Sequence, residues 1–227
     1  MRLLRRSLWF AALAGAGLLA LLVALLLLWR VVPPVSTLML ARHLTFRPVA
    51  REWVPLDRIA PALPAAVIMS EDGRFCRHHG VDWGALREVM EDADEDGPAR
   101  GASTLTMQVA KNLFLWPGRS AVRKAIEIPL ALLLDAVWPK RRIMEVYLNI
   151  AEWGPDGTFG AQAGARRAFN KGADRLSGRE AALMAASLPN PILRNPARPS
   201  RGLSRHAGVV QGRLRDSKSW TDCIRPP

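Results

Sequence analysis

Cysteine is scarce in this chain: two in 227 residues, Cys76 and Cys223. Two thiols so placed form neither a disulfide framework nor a metal-ligand spacing, so each is expected to be a free thiol. Strand signals are also missing. No apolar–polar alternation recurs often enough to build a sheet, and there is no internal repeat, which leaves a helical domain. Acid is in short supply. Against 32 Lys and Arg stand 20 Asp and Glu, for a net charge of +12. That balance points to an anionic partner, for which nucleic acid is the usual suspicion, and part of the arginine is simply solubilising surface charge.

The first thing present in abundance is apolar sequence. After the basic Met1-Arg2-Leu3-Leu4-Arg5-Arg6, the run Leu8 to Trp29 carries no charge. About 22 helical residues suffice to cross a hydrocarbon core of roughly 30 Å. Trp9 and Trp29 stand at its ends, where indoles favour the headgroup boundary. A cleavable signal peptide would have an apolar region of about 7–15 residues and a small-residue cleavage site. This run is longer and ends Trp29-Arg30-Val31-Val32-Pro33-Pro34, so an uncleaved anchor is expected. Arg2, Arg5 and Arg6 argue for a cytoplasmic N-terminus, although Arg30, Arg42, Arg47 and Arg51 follow the span. With the domain outside the cytoplasm, anionic lipid headgroups or a pyrophosphate-bearing lipid fit the basic charge better than nucleic acid. The expected division is 1–7 cytoplasmic, 8–32 anchor, 33–63 a proline-broken stalk, 64–200 the main helical domain and 201–227 a tail.

From Pro64 onward the pattern is helical. Ala65 to Ser70 is apolar and Asp72-Gly73 signals its end. Asp82 has the place of an N-cap for Trp83 to Met90. Glu91 to Asp96 holds five acids in six residues, read as a solvated loop rather than a metal site. Ser103 and Thr104 start a helix on which Thr104, Gln108 and Lys111 form a polar row opposite Leu105, Val109 and Leu113. A further helix runs from about Ser120 towards Trp138, with Arg123 and Glu127 on one side; Pro129 is expected to kink or end it. Another spans Lys140 to Glu152, with Ile143, Val146, Tyr147 and Ile150 packing inward. Ser177-Gly178-Arg179-Glu180 is a capping box that opens a helix to Leu188, stopped by Pro189-Asn190-Pro191.

Chemistry concentrates in two places. Glu71 puts a carboxylate directly after an apolar helix, and Lys111, Arg119, Arg123 and Lys124 gather cations some forty to fifty residues later. One base and several cations suit transfer of a group from a phosphorylated donor. Taken singly, each has a plain alternative: a glutamate at a helix end is ordinarily just solvated, and Arg123 with Glu127 could be an ordinary i,i+4 surface pair.

In order and spacing these segments resemble the five motifs of the peptidoglycan glycosyltransferases. Glu71-Asp72-x-x-Phe75-x-x-His78-x-Gly80-x-Asp82 is similar to the first, Gly101 to Asn112 to the second, and Arg123-Lys124-x-x-Glu127 to the third. Lys140 to Asn149 matches the fourth, and Ala165 to Lys171 followed by Glu180-Ala-Ala-Leu the fifth. Two departures stand out: Met107 occupies the place of the first of two glutamines, and Ala168-Phe169 that of an aromatic pair.

The resemblance implies an all-α, lysozyme-like glycosyltransferase domain behind one transmembrane helix. Its implied activity is glycan polymerisation from lipid II, by inverting transfer of the growing undecaprenyl-pyrophosphate-linked glycan to the acceptor 4-hydroxyl. Glu71 is the implied base and Glu127 the second catalytic carboxylate, orienting cations or donor sugar. The implied pyrophosphate clamp is Gln108, Lys111, Asn112, Arg119, Arg123 and Lys124, with Lys140 nearby. His78 is read as a structural hydrogen-bonder, Asp72 and Asp82 as caps, and Glu145 and Asn149 as supports of the fold. No cofactor is firmly implied; a divalent cation, Mg or Mn, is left open, and no protein metal site is expected. Implied partners are lipid II, the lipid-linked glycan, the inner membrane and proteins of division or elongation, with no nucleic acid. A lytic hydrolase on neutral glycan would have no need of the cation cluster, and a degenerate scaffold would not keep Glu71, Lys111 and Glu127. Neither Ser-x-x-Lys nor Lys-Thr-Gly occurs, so transpeptidation is not expected.

Overall fold

A computed structural model describes residues 2–92, 103–118 and 120–225. The chain divides into two units, residues 1–33 and 34–227. The first holds α1 (Arg2–Trp29), the one described helix long and apolar enough to cross a membrane.

The second unit is mainly helical, as expected: α2 (Thr37–Leu44), α3 (Ala62–Glu71), α4 (Trp83–Asp92), α5 (Leu105–Phe114), α6 (Ala121–Val137), α7 (Lys140–Ile150), α8 (Ala161–Phe169), α9 (Gly178–Ser187) and α10 (Arg201–Arg213). Side-chain caps set several starts. Thr104, Ser120, Ser177 and Ser200 accept from backbone N–H groups of the first turn, and Ser177 with Glu180 closes the capping box. Asp82 caps α4 by accepting from Ala85 N at 3.1 Å.

The centre of the unit is α3. Its residues Leu63, Ala66, Val67 and Ile68 are fully buried, which suits a helix apolar all round. It packs against α9, whose alanines allow close approach, and α9 packs in turn on α10. On the other side of the unit α5 lies against α6 and α7.

Four expectations are corrected. A small sheet is present: β1 (Ala50–Arg51), β2 (Glu152–Gly154) and β3 (Thr158–Phe159), in the order β1-β3-β2, with β1 parallel and β2 antiparallel to β3. Strands of two or three residues are too short to show an alternation. Of the two outcomes expected at Pro129, a kink or an end, the end is ruled out, since α6 runs through it; packing on α5 outweighs the one backbone hydrogen bond that proline removes. The segments expected as stalk and tail are part of the folded unit. Val54 N donates to Asn149 Oδ1 and Leu56 N to Glu145 Oε2, both at 2.9 Å, while Leu203, Ala207 and Val210 of α10 are buried. Cys76 and Cys223 are joined in a disulfide rather than free. Their separation of 147 residues hides the pairing, and the fold brings their Cα atoms to 5.5 Å. Most of the acidic run 91–96 lies outside the described residues.

Candidate active site

Glu71 is the last residue of α3, so a largely buried helix delivers a carboxylate to the edge of the core. The next residue fixes the surroundings. Asp72 is buried; its carboxylate accepts from His78 Nε2 at 3.0 Å and from Leu105 N at 2.9 Å, the first residue of α5. One side chain thus ties the end of α3, the loop that follows and the start of α5. Gly80 closes that loop against α6 with a φ of +82°; a Cβ there would lie 2.6 Å from Ala131 O, so the position demands glycine. His78, Asp72 and Asp82 therefore have the structural places that the sequence indicates.

Glu71 faces α5. Gln108 Nε2 donates to Glu71 Oε2 at 3.3 Å and Ser70 Oγ to Glu71 Oε1 at 3.4 Å. Tyr147 OH donates to Gln108 Oε1 at 3.2 Å, which leaves the amide nitrogen for the glutamate. Burial raises the Glu71 pKa, and the Asp72 charge adds to it; the bonds from Gln108 and Ser70 and the Arg194 guanidinium oppose the rise. Tyr147 is pushed well above its ordinary range by burial, then by the charges of Glu71 and Asp72, so it stays a donor. Two hollows meet at the Glu71–Gln108 bond. One of about 220 Å³ is lined by Glu71, Arg74, Asp82 and Ser103; the other, of about 190 Å³, by Gln108, Lys111, Asn112 and Tyr147.

The cations gather along α5 and α6. Arg123 and Glu127 are both buried and form an ion pair, and Arg123 Nε donates to Gly118 O at 2.9 Å. Lys124 Nζ reaches Glu127 Oε1 at 3.0 Å and Ser103 Oγ at 2.8 Å. Lys111 lies within the same electrostatic neighbourhood. Its pKa is lowered, first by burial and then by Arg123 and Lys124, while Glu127 pulls it back up. Met107 is buried with its sulfur 3.9 Å from Lys124 Nζ, a weak acceptor in the missing glutamine's place. The structure therefore brings together Glu71, Gln108, Lys111, Arg123, Lys124 and Glu127, with Asn112 in the adjoining hollow. Arg119 lies outside the described residues.

Lys140 has a carboxylate partner of its own. Its Nζ pairs with Asp135 Oδ1 at 2.6 Å and sits 4.7 Å from the Phe75 ring centroid. Asp135 also accepts from Thr106 Oγ1 at 3.5 Å, and Thr106 is on the side of α5 opposite Gln108. Position 140 opens α7. Three participants escape the sequence reading: Ser70, Arg194 and the hydroxyl of Tyr147. Tyr147 carried a signal, because a tyrosine in an otherwise apolar inward row needs a partner for its hydroxyl. Arg194, beyond the helix-stopping prolines, carried none.

The family model described as Transglycosylase matches residues 39–215. A biosynthetic peptidoglycan transglycosylase of Nitrobacter hamburgensis is 53% identical over 222 residues, covering 96% of this chain and 98% of the relative. Relatives of the same name from Brucella suis and Agrobacterium fabrum are 54% and 49% identical, covering 86% and 95% of this chain and 86% and 98% of their own lengths. A half-buried carboxylate near a cluster of cations, on a match spanning most of the folded unit, leads to one conclusion: the chain belongs to the transglycosylase family, among relatives named for the biosynthesis of peptidoglycan.

Proposed function

We propose that the protein polymerises the glycan of peptidoglycan from lipid II, without cross-linking it. The observation that carries this reading is the single hydrogen bond from Gln108 to Glu71. It couples a desolvated carboxylate to the helix that also presents Lys111, one turn on, to the Arg123, Lys124 and Glu127 cluster.

Glu71 removes the proton from the acceptor's 4-hydroxyl as that oxygen attacks the donor's anomeric carbon. A carboxylate whose pKa is raised by burial is a stronger base than a solvated one, yet Gln108 and Arg194 keep its charged form accessible. The C1–O bond to the pyrophosphate breaks as the new bond forms on the opposite face, inverting the linkage. Negative charge grows on the leaving diphosphate, where fixed, partly desolvated cations stabilise it most. Lys111, Arg123 and Lys124 supply those cations, with Arg119 expected beside them; Gln108 and Asn112 offer amides to the same region. Glu127 holds Arg123 and Lys124 in place. Each of its oxygens faces one of the two cations.

The anchor and the surface agree with a lipid-linked substrate. Val122, Ile126 and Leu132 of α6 are exposed while Arg123 and Glu127 are buried, an inverted pattern for a helix in water. Arg2, Arg5 and Arg6 favour a cytoplasmic N-terminus, and the Cys76–Cys223 bond suits an oxidising compartment for the domain.

The test is detergent-solubilised full-length protein with labelled lipid II, its products sized with and without muramidase. A ladder of long, muramidase-sensitive glycan is expected. Release of label without elongation, or cleavage of added glycan, would instead make the protein a hydrolase.

A further inference from the structure

Past Glu71 the cleft continues. Gly73 and Arg74, which line the Glu71 hollow, also line a second one of about 360 Å³, closed by Met69, Arg213, Asp216 and Trp220. The far wall comes from the C-terminal segment, and Trp220 lies beyond residues 39–215, the extent of the family match. That wall is firmly held. Cys223 is bonded to Cys76 in the loop after Glu71, and the Arg77 guanidinium lies 5.0 Å from the Trp220 ring centroid. Arg213 Nη1 donates to Met69 O at 3.1 Å, two residues before Glu71, and Arg225 Nη2 to Lys218 O at 2.7 Å. A disulfide, a cation–π contact and two backbone hydrogen bonds keep an indole at the end of a groove that begins at the glutamate.

The groove's chemistry is specific: one indole, Trp220, and two guanidinium groups, Arg74 and Arg213, line the same hollow. Guanidinium forks match carboxylates, and an indole offers apolar area at low entropic cost. Peptidoglycan precursors carry a peptide branch on the sugar, with free carboxylates. Resting on the function proposed above, we infer that Arg74, Arg213 and Trp220 form a subsite for the carboxylate-bearing peptide branch of the acceptor whose hydroxyl lies at Glu71. Asp216 on the same wall repels a carboxylate that enters out of register, and Asp82, 3.5 Å from Arg74 Nη1, holds that arginine until the branch arrives.

Equilibrium binding to micelle-dispersed lipid II tests the subsite, using the full chain and two ligands: the peptide carboxylates free, or converted to amides. Wild type should bind the amidated form about three- to fivefold more weakly, the size of a partly exposed charge pair. Arg74→Gln and Trp220→Ala should bind the free form weaker by a similar factor, and Arg74→Gln should tell the two ligands apart less well than wild type, Arg213 keeping part of the difference. Wild-type affinity in both variants, or an Arg74→Gln loss that is equally large against the amidated ligand, would overturn the subsite. The polymerisation assay reads the other proposal separately. A chain that makes no glycan but shows these affinities keeps the subsite and loses the reaction; one that makes glycan with unchanged affinities does the opposite.

Discussion

As the proposed base, Glu71 is held at a cost to the fold. Replacing it by glutamine, Glu71→Gln, should lower polymerisation by about 10²–10⁴-fold, the usual loss for a general base, while the protein stays folded. The same substitution should stabilise the protein at neutral pH. The native state holds the Glu71 proton more tightly than the unfolded chain does, because burial raises its pKa. The group therefore favours folding when protonated and works against it as pH rises through the folded pKa. Glutamine mimics the protonated form, so the variant's advantage in urea unfolding should grow as pH rises through the raised Glu71 pKa and vanish below the ordinary carboxylate range. Gln108→Ala makes a separate forecast. Losing a bond that favours the charged form moves the acid limb of the pH–rate profile to higher pH.

At the scale of elements, the working geometry depends on how α3, α5 and α6 are tied together. Asp72→Ala removes the acceptor for His78 and for Leu105 N at once. Chemical denaturation should show a loss of about 2–4 kcal/mol, two buried donors being left unpaired, with activity falling further than stability because α5 carries Gln108 and Lys111. Glu127→Gln should act between α5 and α6. Lys111 is proposed to serve as a cation, and Glu127 is the influence that raises its lowered pKa; without it the alkaline limb of the pH–rate profile should move to lower pH.

Much at this scale was legible in the sequence. Thr104, Ser120 and Ser177 announce helix starts through hydroxyls that can satisfy free N–H groups, and the i,i+4 spacing of Arg123 and Glu127 puts them on one face. What escaped depends on distant partners. Asn149 and Glu145 bind backbone some ninety residues earlier, and nothing local in 33–63 says that it will be held there. Lys140 shares the charge type of the cluster but not its side of α5, a matter of helix phase between two elements. The paired cysteines lack any spacing signature.

For the whole molecule, the anchor should contribute to turnover as well as to location, since a tether concentrates enzyme where a lipid-linked substrate is confined. Deleting residues 1–32 should slow polymerisation most when lipid II is dilute in liposomes, and less in micelles. With a domain this basic, the deficit should grow with salt, as screening removes its residual attraction to anionic lipid. Equal rates for full-length and truncated protein in liposomes at low and high salt would show that the anchor only locates the enzyme.

The bond between Cys76 and Cys223 also makes most of the folded unit a closed ring in the chain, with the glutamate's loop at one join and the C-terminal turn at the other. A single cut anywhere in the intervening 147-residue span cannot release a fragment. Protein nicked once there should migrate as one species on a non-reducing gel and fall into two pieces only when thiol is added.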